Sequence, residues 1–165
     1  MSKLKEILSF FCFYYPYKEE LSKSRLTKMV YLADWKSAID RGFPITDIQW
    51  IYDYYGPFVD EIFDLVLSDS DFNVIVSSNK YGDKKYIITL RAGIKPSIKL
   101  LDEEDINILN YVIESTRSLF YNDFIQLIYS TYPILKSEQF TPLDLVDIAK
   151  SYKKERQLFT DTNTL

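Results

Sequence analysis

The hydrophobic positions of this chain follow two different spacings. Helical spacing, as at Leu4, Ile7, Leu8 and Phe11, recurs in six segments: about 3–14, 23–40, 57–67, 102–118, 122–131 and from 141 onward. Residues 72–77 and 86–90 are instead strand-like and flank a turn at 79–83, which predicts a β-hairpin. Residues 50–54 predict a further short strand. Together these patterns predict an α+β, mainly helical fold: a single domain of about five or six helices with a small antiparallel β-hairpin.

Turn-forming residues set the predicted ends of these helices. Proline biases the residue before it away from the helical region, whereas a proline in the first helical turn loses no hydrogen bond and glycine fits a helix C-cap. The predicted boundaries are a stop at Pro16, a cap at Gly42, a helix start at Gly56-Pro57, an N-cap at Asp102, a stop at Tyr132-Pro133 and a start at Thr141-Pro142. After Arg156 the sequence is polar, so we expect one domain over residues 1–155 and a flexible tail over 156–165.

The composition argues against most enzyme chemistry. The 165 residues include no His and only one Cys, which removes Ser-His-Asp triads, Cys-His nucleophiles and the usual zinc ligands within one chain. Two acidic stretches, Asp69-Ser70-Asp71 and residues 102–105, lack the spacing of a calcium loop. No glycine-rich phosphate-binding motif is present. A hydrolase using Asp34 or Asp53 would lack a partner base. The sequence therefore predicts a protein that is not an enzyme, with no cofactor and no metal site.

Charge alternates in blocks although the net charge is only −4. Residues 43–75 contain seven acidic and no basic residues, and residues 76–99 carry a net charge of +5. Such blocks favour a complementary protein partner over nucleic acid, which requires a dominant basic face. The apolar run at 8–15 is too short to span a bilayer, and a lone Cys suits a reducing compartment. We therefore expect a cytoplasmic protein that does not enter a membrane.

The aromatic residues suggest a surface for a partner. The chain contains 14 Tyr, 11 Phe and 2 Trp, and Tyr and Trp dominate many protein–protein interfaces. The candidate partner-binding residues are Tyr31, Asp34, Trp35, Trp50, Asp53, Tyr54, Tyr55, Asp60 and Glu61. The alternative is that Trp35 and Trp50 seal the core between a helix and a strand. The charged hairpin tip, Lys80 to Lys85, is a second candidate surface.

Three motifs in this region resemble the SocA-like antitoxin family of bacteria and phages, which carries the Panacea domain. These motifs are KMVYLADW at 28–35, GFPIT at 42–46, and a segment that starts at Trp50 and continues through YYGPFV at 54–59. The resemblance covers roughly residues 22–67. Family members often carry a His followed by Pro-Trp further along, where this chain has Tyr132-Pro133-Ile134 and no His.

This resemblance implies an antitoxin that binds a cognate protein toxin. Neutralisation would occur either by masking the toxin or by presenting it to a protease or its adaptor. The main alternative is a nucleic-acid-binding transcriptional regulator, which the acidic blocks at 43–75 and 100–149 argue against.

Overall fold

A computed structural model describes residues 2–163 of the chain. Within these residues the α-helices are α1 Lys3–Tyr14, α2 Lys23–Arg41, α3 Glu61–Ser68, α4 Glu103–Thr116, α5 Tyr121–Tyr129, α6 Tyr132–Lys136 and α7 Leu145–Asn163. The strands are β1 Ile51–Asp53, β2 Gly56–Phe58, β3 Phe72–Ser78 and β4 Lys84–Leu90. They form two separate antiparallel pairs, β1 with β2 and β3 with β4. The predicted mainly helical α+β class is confirmed.

Helix α2 is the centre of the core. It packs against α1, α4, α5 and α7 and against strands β2 and β4. Leu26, Met29, Val30 and Ala33, the predicted inward stripe, are all buried. The other sides of the helix are also covered, because Arg25, Thr27, Lys28, Tyr31, Asp34 and Trp35 are buried as well. A helix surrounded in this way can bury residues that lie outside its hydrophobic stripe.

Several predicted boundaries are confirmed by the capping geometry. Gly42 adopts the left-handed conformation, with φ of 84°, and closes α2 through its N–H to the Ala38 carbonyl. Asp102 and Asp105 form a reciprocal capping box at the start of α4. The predicted hairpin is β3–β4, in register from Phe72 opposite Leu90 to Ser78 opposite Lys84.

Two predicted helix starts are wrong. Gly56-Pro57 does not start a helix, because both residues belong to β2, which pairs with β1, and α3 begins only at Glu61. Thr141-Pro142 does not start α7 either. That segment hydrogen-bonds to β1, and Asp144 accepts from the Asp147 N–H at the true start of the helix.

Helix α5 ends before Tyr132-Pro133, as predicted, and these two residues also begin the short helix α6, which the sequence analysis did not predict. In addition, α7 continues to Asn163, where a loose tail was expected from 156. The helical spacing of hydrophobic residues ends at Tyr152, and the side chains at 153–160 are exposed. The backbone therefore continues as a helix that does not pack against the core. Residues 164 and 165 of the predicted tail lie outside the described residues.

Candidate functional site

The most exposed aromatic side chains among the predicted site residues lie on the turn between β1 and β2. Asp53 pairs with Gly56, so Tyr54 and Tyr55 form a two-residue turn. Gly56 has a φ of 100°, a conformation that side-chain-bearing residues rarely adopt, and this permits the sharp reversal. The Tyr54 side chain is 70% exposed and that of Tyr55 is 79% exposed. We call this turn, residues 53–56, the tyrosine corner.

A segment from the C-terminal part of the chain braces the tyrosine corner. The N–H of Tyr52 donates to the carbonyl of Thr141 at 3.0 Å, and the side-chain amide of Gln139 donates to the carbonyls of Asp53 and Tyr54 at 3.4 Å. The Phe140 ring meets the Tyr54 ring edge-on, with centroids 4.9 Å apart. The backbone of the corner is thus held from both sides, so a partner that binds there orders little additional chain.

Four of the predicted surface residues are instead buried beneath this corner, and the prediction that they are exposed is wrong. Tyr31 is fully buried and donates or accepts a hydrogen bond with Thr131 Oγ1 at 2.7 Å. Trp35 stacks on Tyr132, with parallel rings whose centroids lie 6.4 Å apart. Trp50 is 1% exposed, and its ring meets that of Tyr31 edge-on. The alternative assignment of the two tryptophans to the core is therefore confirmed.

Asp34, the fourth of these residues, organises the loop between α2 and β1. Its carboxylate accepts from the Trp50 indole N–H at 2.8 Å, from the Thr46 backbone N–H at 2.9 Å and from the Thr46 hydroxyl. Burial raises the pKa of the Asp34 carboxyl, and the hydrogen bonds from Thr46 and Trp50 partly oppose that rise. Asp34 therefore fixes the position of Trp50 and, through it, the start of β1.

The remaining predicted residues lie on the surface near the corner. Asp53 is half-buried, while Asp60 and Glu61 are exposed at the start of α3, immediately after β2. The structure thus keeps five of the nine predicted residues at the surface: Asp53, Tyr54, Tyr55, Asp60 and Glu61. Asp60 and Glu61 also lie where the positive end of the helix dipole favours acidic side chains.

Beside the tyrosine corner is a groove that the sequence did not reveal. It has a volume of about 570 Å³ and runs between the start of α2, the corner and the tip of the β3–β4 hairpin. A neighbouring depression of about 380 Å³ shares four of its lining residues and extends it along the hairpin. The groove lining consists of Lys23, Ser24, Thr27, Lys28, Asp53, Tyr54, Tyr55, Phe58, Asp83, Lys84 and Tyr121.

Lys28 lies at the base of this groove. Its side chain is only 3% exposed, and its ammonium donates to Ser24 Oγ at 3.2 Å. Ser24 Oγ in turn shares a hydrogen bond of 2.9 Å with the Tyr121 hydroxyl. Burial lowers the pKa of Lys28 from 10.5 to about 8. Sequence reasoning missed this residue because it treated α2 as exposed outside its stripe, although the apolar run from Met29 to Ala33 already suggested a helix buried on several sides.

Comparison with protein families decides what kind of domain this is. The model of the family described as "Antitoxin SocA-like, Panacea domain" matches residues 26–133. The chain belongs to this family. The match covers about two-thirds of the 165 residues and extends well beyond the three motifs, which end before residue 67. No curated protein and no solved structure matches the chain significantly.

The Panacea match contains most of the tyrosine corner and its groove. It begins at Leu26, in the first turn of α2, includes the tyrosine corner and the β3–β4 hairpin, and ends at Pro133, the second residue of α6. Helix α1, the bracing segment at 139–143 and α7 lie outside it. Family membership supports an antitoxin-like role.

The acidic clusters considered as metal sites are engaged in structural contacts. Asp69 and Asp71 both bind the Lys5 ammonium, at 2.9 and 2.8 Å, and Asp102 and Asp105 cap α4. Over the part of the chain that the structure describes, no three acidic or cysteine side chains are grouped so as to hold a metal ion. No helix in that part combines the length and the apolar character needed to cross a membrane.

Proposed function

We propose that this protein is the antitoxin of a toxin–antitoxin system and neutralises a cognate protein toxin by binding it directly. The family match supports an antitoxin-like role, and the tyrosine corner supports direct binding. The observation that carries the proposal is the pair of strongly exposed tyrosines on a turn held by hydrogen bonds from the 139–143 segment. Exposed aromatic side chains on a pre-ordered backbone are typical of the few residues that dominate binding energy.

The acidic residues next to the tyrosine corner determine the charge of the partner that this surface attracts. Asp60 and Glu61 are exposed at the start of α3, and residues 43–75 contain no base. A basic face on the toxin would be attracted to this side, mainly by faster association that weakens as salt is added. On this proposal Tyr54 and Tyr55 supply affinity, and Asp60 and Glu61 guide the approach.

The decisive experiment is co-expression with the protein encoded by the adjacent gene, followed by growth rescue and affinity measurement. The Tyr54→Ala, Tyr55→Ala double variant should weaken binding by about 2 kcal/mol or more, roughly 30-fold, if these residues are hot spots. The matched control is Phe159→Ala, which removes an aromatic side chain of similar exposure, 72%, from α7. A folded double variant that rescues growth and binds like the wild type would place the toxin surface elsewhere, with the hairpin tip as the next candidate.

Neutralisation can proceed by masking the toxin or by presenting it to a protease. The two mechanisms differ in what happens to the toxin after binding. With masking, the half-life of the toxin in cells is unchanged or longer when the antitoxin is present. With presentation, its half-life is shortened, and deletion of the responsible protease restores toxicity despite continued binding.

A further inference from the structure

Lys28 is a buried cation without a matching anion. Its ammonium has three N–H donors, and in the described part of the chain only Ser24 Oγ accepts from it. Among the ion pairs of the described residues, none joins an Asp or Glu carboxylate to the Lys28 ammonium within 4.0 Å. At least two donors of a side chain that is 97% buried are therefore left without a protein acceptor, and the side chain borders an open groove.

Three other cations of this fold have more acceptors beside them, although the buried Nε of Arg25 has no hydrogen-bond partner. Arg41 binds the buried Asp105 carboxylate at 2.7 Å, and Lys5 bridges two aspartates. Arg25, which has no acid beside it, donates to the Tyr15 hydroxyl and to the carbonyls of Thr116 and Leu119. Lys28 differs from these because, within the described residues, Ser24 Oγ is the one acceptor that its ammonium binds, and because it lines an open groove.

The groove around Lys28 is suited to an anionic group. Lys23 and Lys84 add two further cations at its rim, against the carboxylates of Asp53 and Asp83. The titratable and charged groups that line it are Lys23, Asp53, Tyr54, Tyr55, Asp83, Lys84 and Tyr121, and Tyr129 of α5 approaches from beneath Gly56. Ser24 Oγ accepts from the ammonium and is held by its hydrogen bond with the Tyr121 hydroxyl, so the ammonium is anchored at one side while its other donors remain for an oxygen anion.

We propose that the Lys28 end of this groove binds an oxygen anion, and that in the antitoxin–toxin complex the occupant is the carboxylate of an Asp or Glu side chain of the toxin. This inference rests on the proposed function, because it assigns part of the toxin to the groove. The groove opens at Tyr54 and Tyr55, so a partner docked on the tyrosine corner also covers it. A single acidic side chain inserted there supplies the missing acceptors and is shielded from solvent by the partner.

The first test uses the protein alone and does not depend on a toxin. The protein is labelled with ¹³C-lysine, and the ¹³Cε resonance of Lys28 is assigned by its loss in Lys28→Met. Its pKa is then measured without added anion, with sodium acetate and with inorganic phosphate. We expect acetate to raise the pKa of Lys28 by about one unit, since a bound carboxylate favours the charged form. If neither anion changes the pKa of Lys28, the site does not exist. If only phosphate does, the commitment to a carboxylate is wrong.

The second test separates this inference from the proposed function. The affinity of the adjacent gene product is measured for the wild type, for Lys28→Met and for the control Lys154→Met, whose lysine is exposed on α7. We expect Lys28→Met alone to bind at least tenfold more weakly. Wild-type binding should also weaken between pH 7 and 9 as Lys28 loses its proton. Binding by Lys28→Met should not change over this range. Equal binding by wild type and Lys28→Met would overturn the inference and leave the antitoxin assignment intact. Absence of any binding by the wild type would overturn the antitoxin assignment, and the acetate titration would still decide the anion site.

Discussion

Replacing Lys28 with methionine should make the folded protein more stable. In the unfolded chain the ammonium is hydrated and titrates near 10.5, whereas burial lowers its pKa in the folded protein to about 8. At about 1.36 kcal/mol for each pKa unit, this drop means that the charge opposes folding by about 3 kcal/mol at neutral pH. Methionine has a similar length, no charge and no hydrogen bond to lose except the one to Ser24. We expect Lys28→Met to raise the free energy of unfolding at pH 7 by about 2 kcal/mol.

The same argument fixes the sign of the pH dependence. Between pH 8 and 10.5 the unfolded chain binds a proton at Lys28 that the folded protein has released. The Lys28 contribution to stability therefore rises with pH across this window, and it is fully lost once the pH has fallen to about 8. The methionine variant lacks this titration, so its advantage over the wild type should shrink steadily from pH 8 to pH 10.

Urea denaturation at pH 7, 8, 9 and 10 measures this difference directly. The control is Lys154→Met, which replaces an exposed lysine of α7 and should change stability by less than about 0.5 kcal/mol at every pH. A Lys28→Met variant that is less stable than the wild type at pH 7 would refute the reasoning. So would an advantage that does not change with pH, because the gain would then come from packing and not from the buried charge.

Two further changes test the buried polar groups that support the corner. Asp34→Ala leaves the Trp50 indole and the Thr46 donors without their acceptor, so we expect a loss of about 3 kcal/mol or more in urea denaturation, whereas Asp34→Asn, which keeps one acceptor oxygen, should lose less. Arg25→Met removes the donors that bind Tyr15 and the Leu119 carbonyl, so the same measurement should show a loss of about 2 kcal/mol, and a more stable variant would contradict this reading.

Local patterns sufficed for the elements whose signals are carried by neighbouring residues. The stripe of α1, the Gly42 cap of α2, the Asp102 start of α4 and the β3–β4 hairpin all follow from spacing and capping within a few positions. Each of these depends on contacts close in sequence, so no knowledge of the tertiary fold was needed to place them.

The errors arise where distant segments decide the outcome. Gly56-Pro57 carries a local helix-start signal, but β1 lies between β2 and the segment at 141–143 and so draws both residues into a strand pair. Tyr31 and Trp35 project beside the hydrophobic stripe of α2, and they are buried only because Thr131, Tyr132 and Tyr152 cover them. The apolar run from Met29 to Ala33 suggests burial on several sides, but no pattern within residues 26–35 identifies the segment about 100 positions later that covers them.

The candidate site likewise has one part that depends on neighbouring residues and one part that depends on distant segments. Tyr54 and Tyr55 were expected to project because a helix was predicted to start at Gly56-Pro57; both are exposed, but they lie on a turn between two strands. The groove was not predictable, because its walls come from α2, the corner, the hairpin tip and the start of α5.

Most of the residues that carry the family resemblance are buried in the scaffold, and Tyr54 and Tyr55 of the third motif are exposed exceptions. Asp34 and Trp50 are buried and hold the loop that leads into β1, Trp35 packs on Tyr132 and Tyr152, and Gly56 lets the corner close against Ile128 of α5. Toxin recognition on the proposed surface would instead depend on exposed residues such as Tyr54 and Tyr55, which can change without disturbing that core. Lys28 also belongs to the first motif and is buried, yet it borders the groove and is expected to oppose folding. A buried residue that destabilises its own fold is best explained by a contribution to binding. Measuring both the free energy of unfolding and the toxin affinity of Lys28→Met therefore distinguishes a role in stability from a role in recognition.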